Sequence, residues 1–195
     1  MTPWTKLVSA FVLGISANTE NLPIGFAYGL RGVPIGFARN LAIAVVTTIA
    51  TLLPLTAGRG LRSYLPPEVP NFGAGSLLIG LGLFNIWIER RNTGVKPAVS
   101  SGLQAGEKSL GLRETALLAG ALSINNVGLG FAGGFAGLDH GPVALFVGGF
   151  SILLLWLGEW LSRIAAFPLN SWFGWLRLDG NLLIVGIGIL MLLGF

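Results

Sequence analysis

Six segments of this chain are apolar and long enough to cross a lipid bilayer, and they restrict its fold more than any other feature. A transmembrane helix needs roughly 20 mostly apolar residues. The segments lie near residues 7–30, 40–57, 73–89, 114–137, 143–165 and 179–195. Because 53% of the residues are hydrophobic and only 10% are charged, a water-soluble domain is excluded. The sequence predicts an all-α integral membrane protein with six transmembrane helices.

A motif in the first segment recurs in the fourth. Residues 20–29 read ENLPIGFAYG, and residues 125–134, at an offset of 105, read NNVGLGFAGG. The same offset relates GSLLI at 75–79 to GNLLI at 180–184. Two segments that share one offset indicate an internal repeat. Since each half has three spans, the second half enters the membrane from the opposite side, as in the inverted repeats of many secondary transporters.

The predicted boundaries are residues 1–92 for the first three-helix repeat, 93–112 for a cytoplasmic linker and 113–195 for the second repeat. Loop charges orient the chain, because cytoplasmic loops carry an excess of Lys and Arg. The side that includes both termini carries three basic residues and the other side nine: Arg31, Arg39, Arg90, Arg91, Lys96, Lys108, Arg113, Arg163 and Arg177. Both termini are therefore expected outside the cell's inner (plasma) membrane. The formal charge of +4 is a topology signal and does not indicate nucleic-acid binding.

Polar residues in the middle of the first span are the leading candidates for a binding site. Asn18, Glu20 and Asn21 offer one carboxylate and two amides within one helical turn. Charged groups at the centre of a span are expensive and usually line a path for substrate or ions. A helix break near Pro23 would bring these side chains together, because proline removes a backbone donor. The alternative is that the Asn side chains only hold helices together.

The second copy of the motif supplies the matching positions. Ser123, Asn125 and Asn126 align with Asn18, Glu20 and Asn21, and Gly128 and Gly130 are the candidates for a second helix break. Two such sets facing each other would form an oxygen-rich cage with one formal negative charge. Hard or borderline divalent cations such as Mn²⁺, Mg²⁺ or Ca²⁺ suit these donors.

Glu159 in the fifth span has two interpretations. It completes the cation site or carries a proton for exchange, or it pairs with Arg163 one turn later. Thr47, Thr48 and Thr51 in the second span are weaker candidates for lining the path. The chain has no cysteine, so thiolate metal sites and cysteine nucleophiles are excluded. It also lacks the common hydrolase, metalloprotease and P-loop motifs, which argues against an enzyme and against a cofactor.

The sequence resembles a known family. The pattern GISANTENLPIGFAYG at 14–29, its echo ALSINNVGLG at 121–130 and the six spans in two triplets look like the MntP-type manganese exporters of the LysE transporter superfamily. The resemblance implies efflux of Mn²⁺ from the cytoplasm, with acidic and amide residues of the first and fourth spans binding the ion. Family members typically carry Asp in both motifs, whereas this chain has Glu20 and Asn125.

The leading hypothesis is a secondary-active exporter of a divalent cation, foremost Mn²⁺, that works by alternating access, with a proton as the candidate counter-ion. Its expected metal ligands are Asn18, Glu20, Asn21, Asn125, Asn126 and Glu159. Two alternatives remain open: an exporter of a small organic solute such as an amino acid, and a membrane assembly protein that transports nothing. The oligomeric state is not determined by the sequence.

Overall fold

All secondary structure in the described part of the chain is helical. The structure is a computed structural model that describes residues 2–66, 68–91 and 110–164, with isolated positions 185 and 189. Within these ranges the helices are α1 (Pro3–Ser16), α2 (Asn21–Leu30), α3 (Phe37–Arg62), α4 (Glu68–Arg91), α5 (Leu112–Ala136) and α6 (His140–Ile164).

Three of the described helices, α3, α5 and α6, are long and apolar enough to cross a membrane. Helix α4 contains a shorter apolar stretch, Phe72–Phe84. Helices α1 and α2 have 14 and 10 residues, so neither spans a bilayer alone. The predicted sixth span, 179–195, lies outside the described residues except for two positions, as does the linker 93–112 except for its last three.

The first predicted span is divided at Ala17–Glu20, where the chain forms a turn between α1 and α2. Pro23 lies in the first turn of α2, a position that needs no intrahelical donor. The break therefore precedes the proline by one turn. Thr19 Oγ1 donates to the Ser16 carbonyl at 3.3 Å and satisfies one acceptor at the end of α1.

The predicted break in the second copy of the motif is wrong. Helix α5 continues without interruption through Asn125, Asn126, Gly128 and Gly130. The physical reason is the residue at the position of Pro23: the second copy has Gly128 there, which keeps its backbone donor and allows the helix to continue.

The motif glycines let helix backbones approach closely. A β-carbon on Gly25 in α2 would overlap the carbonyl of Leu155 in α6. One on Gly130 in α5 would overlap the carbonyl of Thr51 in α3. Small residues at such contacts are the usual means of packing transmembrane helices. The tightest packing of the bundle is thus α2 with α6 and α3 with α5.

Side-chain contacts place the N-terminus, the end of α3 and the α5–α6 turn at one end of the bundle. Asp139 pairs with Lys6 of α1 at 3.3 Å and with Arg59 of α3 at 3.2 Å. Arg62 donates to the Phe135 carbonyl at 2.7 Å. The sequence predicted that these three segments share a side of the membrane, and they do share one end of the bundle.

Candidate functional site

A layer of buried polar side chains lies between two apolar clusters. One cluster includes Leu13, Leu55, Leu129 and Val147, and the other includes Tyr28, Ile43, Leu122 and Leu155. On each of four helical segments the chain passes from one cluster to the other through polar residues. These residues are Asn18 and Asn21 beside and in α2, Thr47 and Thr51 in α3, Ser123 and Asn126 in α5, and Ser151 in α6. Apolar side chains therefore lie on both sides of the polar layer.

Asn18 and Asn21 are held in this layer by hydrogen bonds. The side-chain amide of Asn18 donates to the carbonyls of Gly14 at 2.8 Å and Val147 at 3.0 Å. Its Oδ1 accepts from Asn21 Nδ2 at 3.0 Å. Asn21 Nδ2 also donates to Ser151 Oγ at 3.2 Å, while Asn21 Oδ1 has no hydrogen-bond partner among the described residues. The first motif copy thus presents a fixed amide with a free, buried carbonyl oxygen.

Asn126 differs from Asn21, its counterpart in the repeat. It is 0% exposed, yet within the described residues neither its Oδ1 nor its Nδ2 has a hydrogen-bond partner. An unsatisfied buried polar group costs about 1–3 kcal/mol, so folded proteins rarely keep one without a reason. Asn126 is therefore the strongest indication of a ligand in this layer.

The hydroxyl of Ser151 links the first motif copy to Thr47 in α3. Ser151 Oγ lies 3.2 Å from Asn21 Nδ2 and 3.4 Å from Thr47 Oγ1. Thr47 precedes Thr51 by one turn, and Asn126 precedes Gly130, which packs against Thr51, by one turn. Thr47 and Asn126 therefore lie at about the same height on the packed helices α3 and α5. Sequence reasoning ranked Thr47 low and missed Ser151, which an alignment of the second and fifth spans at an offset of 104 would have matched to Thr47.

Glu20 and Asn125 are half-buried, each next to a fully buried Asn of the layer. Glu20 immediately precedes α2, where carboxylates interact favourably with the helix dipole. The turn at Ala17–Glu20 places Glu20 at a helix end, whereas Asn125 lies within the continuous helix α5. The two motif copies are therefore unlike in backbone as well as in charge.

Glu159 forms an ion pair with Arg163, as one of the two interpretations of the sequence predicted. Its Oε1 accepts from Arg163 at 2.6 Å, and its Oε2 accepts from the backbone N–H of Ile35 at 3.3 Å. Ile35 belongs to the loop between α2 and α3, so the carboxylate joins the end of α6 to that loop. The structure places Glu159 two turns along α6 from Ser151.

The donors of the layer are mainly neutral oxygens. Across the described ranges, no three His, Cys, Asp or Glu side chains lie close enough together to hold a metal ion. The layer instead offers amide and hydroxyl oxygens, with the carboxylate of Glu20 beside them. Such oxygens suit hard cations that keep part of their water shell.

The fold and this layer define a helical membrane protein that crosses the bilayer several times and carries buried amides between its helices. Two relatives that match over nearly their whole length are named putative manganese efflux pumps. The chain is 24% identical over 189 residues to the putative manganese efflux pump MntP of Bacillus cereus (strain G9842), covering 95% of this chain and 93% of that protein. It is 25% identical over 187 residues to the protein of the same name from Bacillus mycoides (strain KBAB4), with the same coverage.

A third relative carries a different name. The probable sporulation protein YtaF of Bacillus subtilis (strain 168) is 22% identical over 198 residues, covering 84% of this chain and 94% of that protein. No protein-family profile and no solved structure matches the chain. The resemblance to the MntP family that the motifs predict is confirmed by these relatives.

Proposed function

We propose that the protein exports a divalent cation, foremost Mn²⁺, from the cytoplasm by alternating access at the buried polar layer. The observation that carries this proposal is Asn126, a fully buried side chain whose two polar atoms lack hydrogen-bond partners among the described residues. The names of the MntP relatives favour Mn²⁺ as the substrate. The MntP proteins are named as efflux pumps, which favours export as the direction.

The packing supports two inverted halves with the site between them. Gly25 and Gly130 occupy the same position in the two motif copies, and each packs against a backbone carbonyl, of Leu155 and Thr51 respectively. Helices α3 and α6 are antiparallel, since Asn40 contacts Ile152 and Arg59 contacts Asp139. Antiparallel matching helices are expected when one half is inverted relative to the other.

Within this proposal Glu20 provides the negative charge and the amides provide neutral oxygens. Asn21 and Asn126 offer Oδ1 atoms that have no partner among the described residues, while Asn18 fixes Asn21. Asn125 takes the position at which an acid would complete a symmetric pair. Glu159, bound to Arg163, stabilises the end of α6 and is left out of the ligand set.

The apolar clusters on both sides of the layer are the proposed barriers to the two aqueous phases. Rocking of the two halves opens one cluster at a time, so that the ion leaves towards the outside. A proton is the proposed counter-ion, and the inner (plasma) membrane with both termini outside is the proposed location and orientation.

Growth and metal content test the function in cells. Cells that lack the protein should accumulate Mn²⁺ and grow poorly when Mn²⁺ is raised, and the wild-type gene should restore both, whereas a Glu20→Ala gene should restore neither. Equal Mn²⁺ content in the deletion strain and the wild type would reject the proposal.

Binding calorimetry with Mn²⁺, Ca²⁺, Mg²⁺ and amino acids separates the alternatives. An organic-solute exporter binds only the amino acids, and an assembly protein binds none of these ligands.

A further inference from the structure

The two motif amides occupy equivalent places but have unequal hydrogen bonds. One turn before the contact of Gly25 with Leu155, Asn21 Nδ2 donates to Ser151 Oγ at 3.2 Å. One turn before the matching contact of Gly130 with Thr51 are Asn126 and Thr47. No hydrogen bond joins that second pair, and Asn126 has no partner in the described part of the chain.

The hydroxyl oxygens of Thr47 and Ser151 can each accept a hydrogen bond from a motif amide. Their oxygens are 3.4 Å apart, longer than the 2.5–3.0 Å typical of hydrogen bonds between hydroxyls. Thr47 Oγ1 donates to the Ala44 carbonyl at 3.1 Å, which leaves its lone pairs able to accept a hydrogen bond. Ser151 Oγ already accepts such a bond from Asn21. Both residues are 0% exposed in the state described here.

We infer that Thr47 and Ser151 are positioning residues that hold one motif amide in each of two states. In this structure Ser151 holds Asn21, and Asn126 has no partner within the described ranges. In the alternative state Thr47 holds Asn126 and leaves Asn21 without its hydroxyl partner. The exchange follows from inverted halves that trade conformations, so this inference rests on the proposed alternating access. Its consequence is that the amide available to the ion changes with the side that is open.

Distances between two spin labels test this directly. The chain has no cysteine, so labels attach only where cysteines are introduced. Leu30→Cys at the end of α2 and Leu112→Cys at the start of α5 are exposed positions, and they lie on different pairs of packed helices. Movement of the α2–α6 pair relative to the α3–α5 pair changes the distance between the two labels. In the full chain in liposomes, the two states therefore give two peaks in the distribution of this distance, and the peak areas give their populations.

Removing each hydroxyl should shift the populations in opposite directions. Ser151→Ala weakens the state described here, and Thr47→Ala weakens the alternative state, each by about threefold to tenfold, as expected for one buried hydrogen bond. Thr115→Ala is the matched control, because Thr115 is buried outside the polar layer and its Oγ1 donates at 2.8 Å to the Gly111 carbonyl one turn earlier. The control should leave the populations unchanged. Where Thr47→Ala does not reconstitute, Thr47→Val replaces it with less loss of volume.

Populations that shift in the same direction in both variants, or in neither, would overturn the inference. A structural role alone predicts the same direction for both variants, because each would loosen the same packing. Mn²⁺ flux is measured separately on the unlabelled wild type. If flux is absent while the opposite shifts are observed, the proposed substrate fails and the positioning role stands. If flux is present without opposite shifts, the positioning role fails alone.

Discussion

Asn18 and Asn21 are joined by a hydrogen bond of 3.0 Å from Asn21 Nδ2 to Asn18 Oδ1. This bond, with the two that Asn18 donates to backbone carbonyls, fixes the amides of the first motif copy across the junction of α1 and α2. Asn126 in the second copy has no such bond within the described residues. In the first copy Asn18 therefore has a structural role and only Asn21 Oδ1 lacks a partner among the described residues, whereas both polar atoms of Asn126 lack one there.

Replacing Asn18 and Asn126 in separate variants should distinguish an effect on stability from an effect on transport. Asn18→Leu removes three hydrogen bonds and is expected to destabilise the protein by about 1–3 kcal/mol, because backbone carbonyls lose their donors. Asn126→Leu removes two polar atoms that lack partners in the described part of the chain and is expected to leave thermal stability unchanged or higher, while Mn²⁺ transport is lost. Thermal unfolding in detergent, paired with flux in proteoliposomes, measures both. Equal destabilisation by the two variants would contradict this assignment.

A methyl group at a close contact between helix backbones should be poorly tolerated. Gly130→Ala places a β-carbon against the Thr51 carbonyl, so α5 and α3 must separate, with a loss of about 1–3 kcal/mol. Gly120→Ala on the same helix meets nothing within 4 Å and is expected to be neutral or slightly stabilising. Thermal unfolding of the two variants provides the comparison. Similar melting temperatures for both would show that the contact is looser than described.

Glu159 is expected to affect stability more than transport. Glu159→Gln removes the charge that pairs with Arg163 but keeps an acceptor for the Ile35 N–H. Because Arg163 is largely exposed, the loss should be below about 1 kcal/mol, and the Mn²⁺ transport rate should fall by less than about twofold. Transport rates measured across pH 6 to 8 check this. A rate that is abolished, or one that loses its pH dependence, would instead assign Glu159 to the ion or proton path.

A second carboxylate in the layer should tighten cation binding. Asn125→Asp introduces a second acid at the position that matches Glu20, and the added negative charge should lower the half-saturating Mn²⁺ concentration by about tenfold. Glu20→Gln, which removes the existing charge, should raise it by at least as much. Both values come from the concentration dependence of flux. An unchanged value in Asn125→Asp would place that position away from the ion.

The sequence predicted the bundle well where hydrophobic length decides the structure. The segments at α3, α5 and α6 match their predicted spans within a few residues, because a long apolar stretch has few alternatives to a helix. The break in the first copy was also predicted, since Pro23 and the polar run before it oppose a continuous helix. The break in the second copy was wrong because Gly128 restores the backbone donor that Pro23 lacks.

The site was predictable only in part. The Asn residues of the motifs are identified by the repeat in the sequence. Ser151 is a single polar residue in an apolar span, and only its contact with Thr47 in the structure assigns it to the site. That contact depends on how α3 and α6 rotate against each other, which hydropathy does not determine. The different bonding of Asn21 and Asn126 is likewise a property of packing, because the two residues are identical in sequence.

Mn²⁺ flux in proteoliposomes is the most direct test of the central claim, that the protein transports a divalent cation through a site in the buried polar layer. Liposomes that contain the purified full chain should accumulate Mn²⁺ along an imposed gradient, and Glu20→Ala and Asn126→Leu should abolish this uptake while Gly120→Ala retains it. Uptake by the wild type no greater than by empty liposomes, or uptake that both site variants retain in full, would contradict the account.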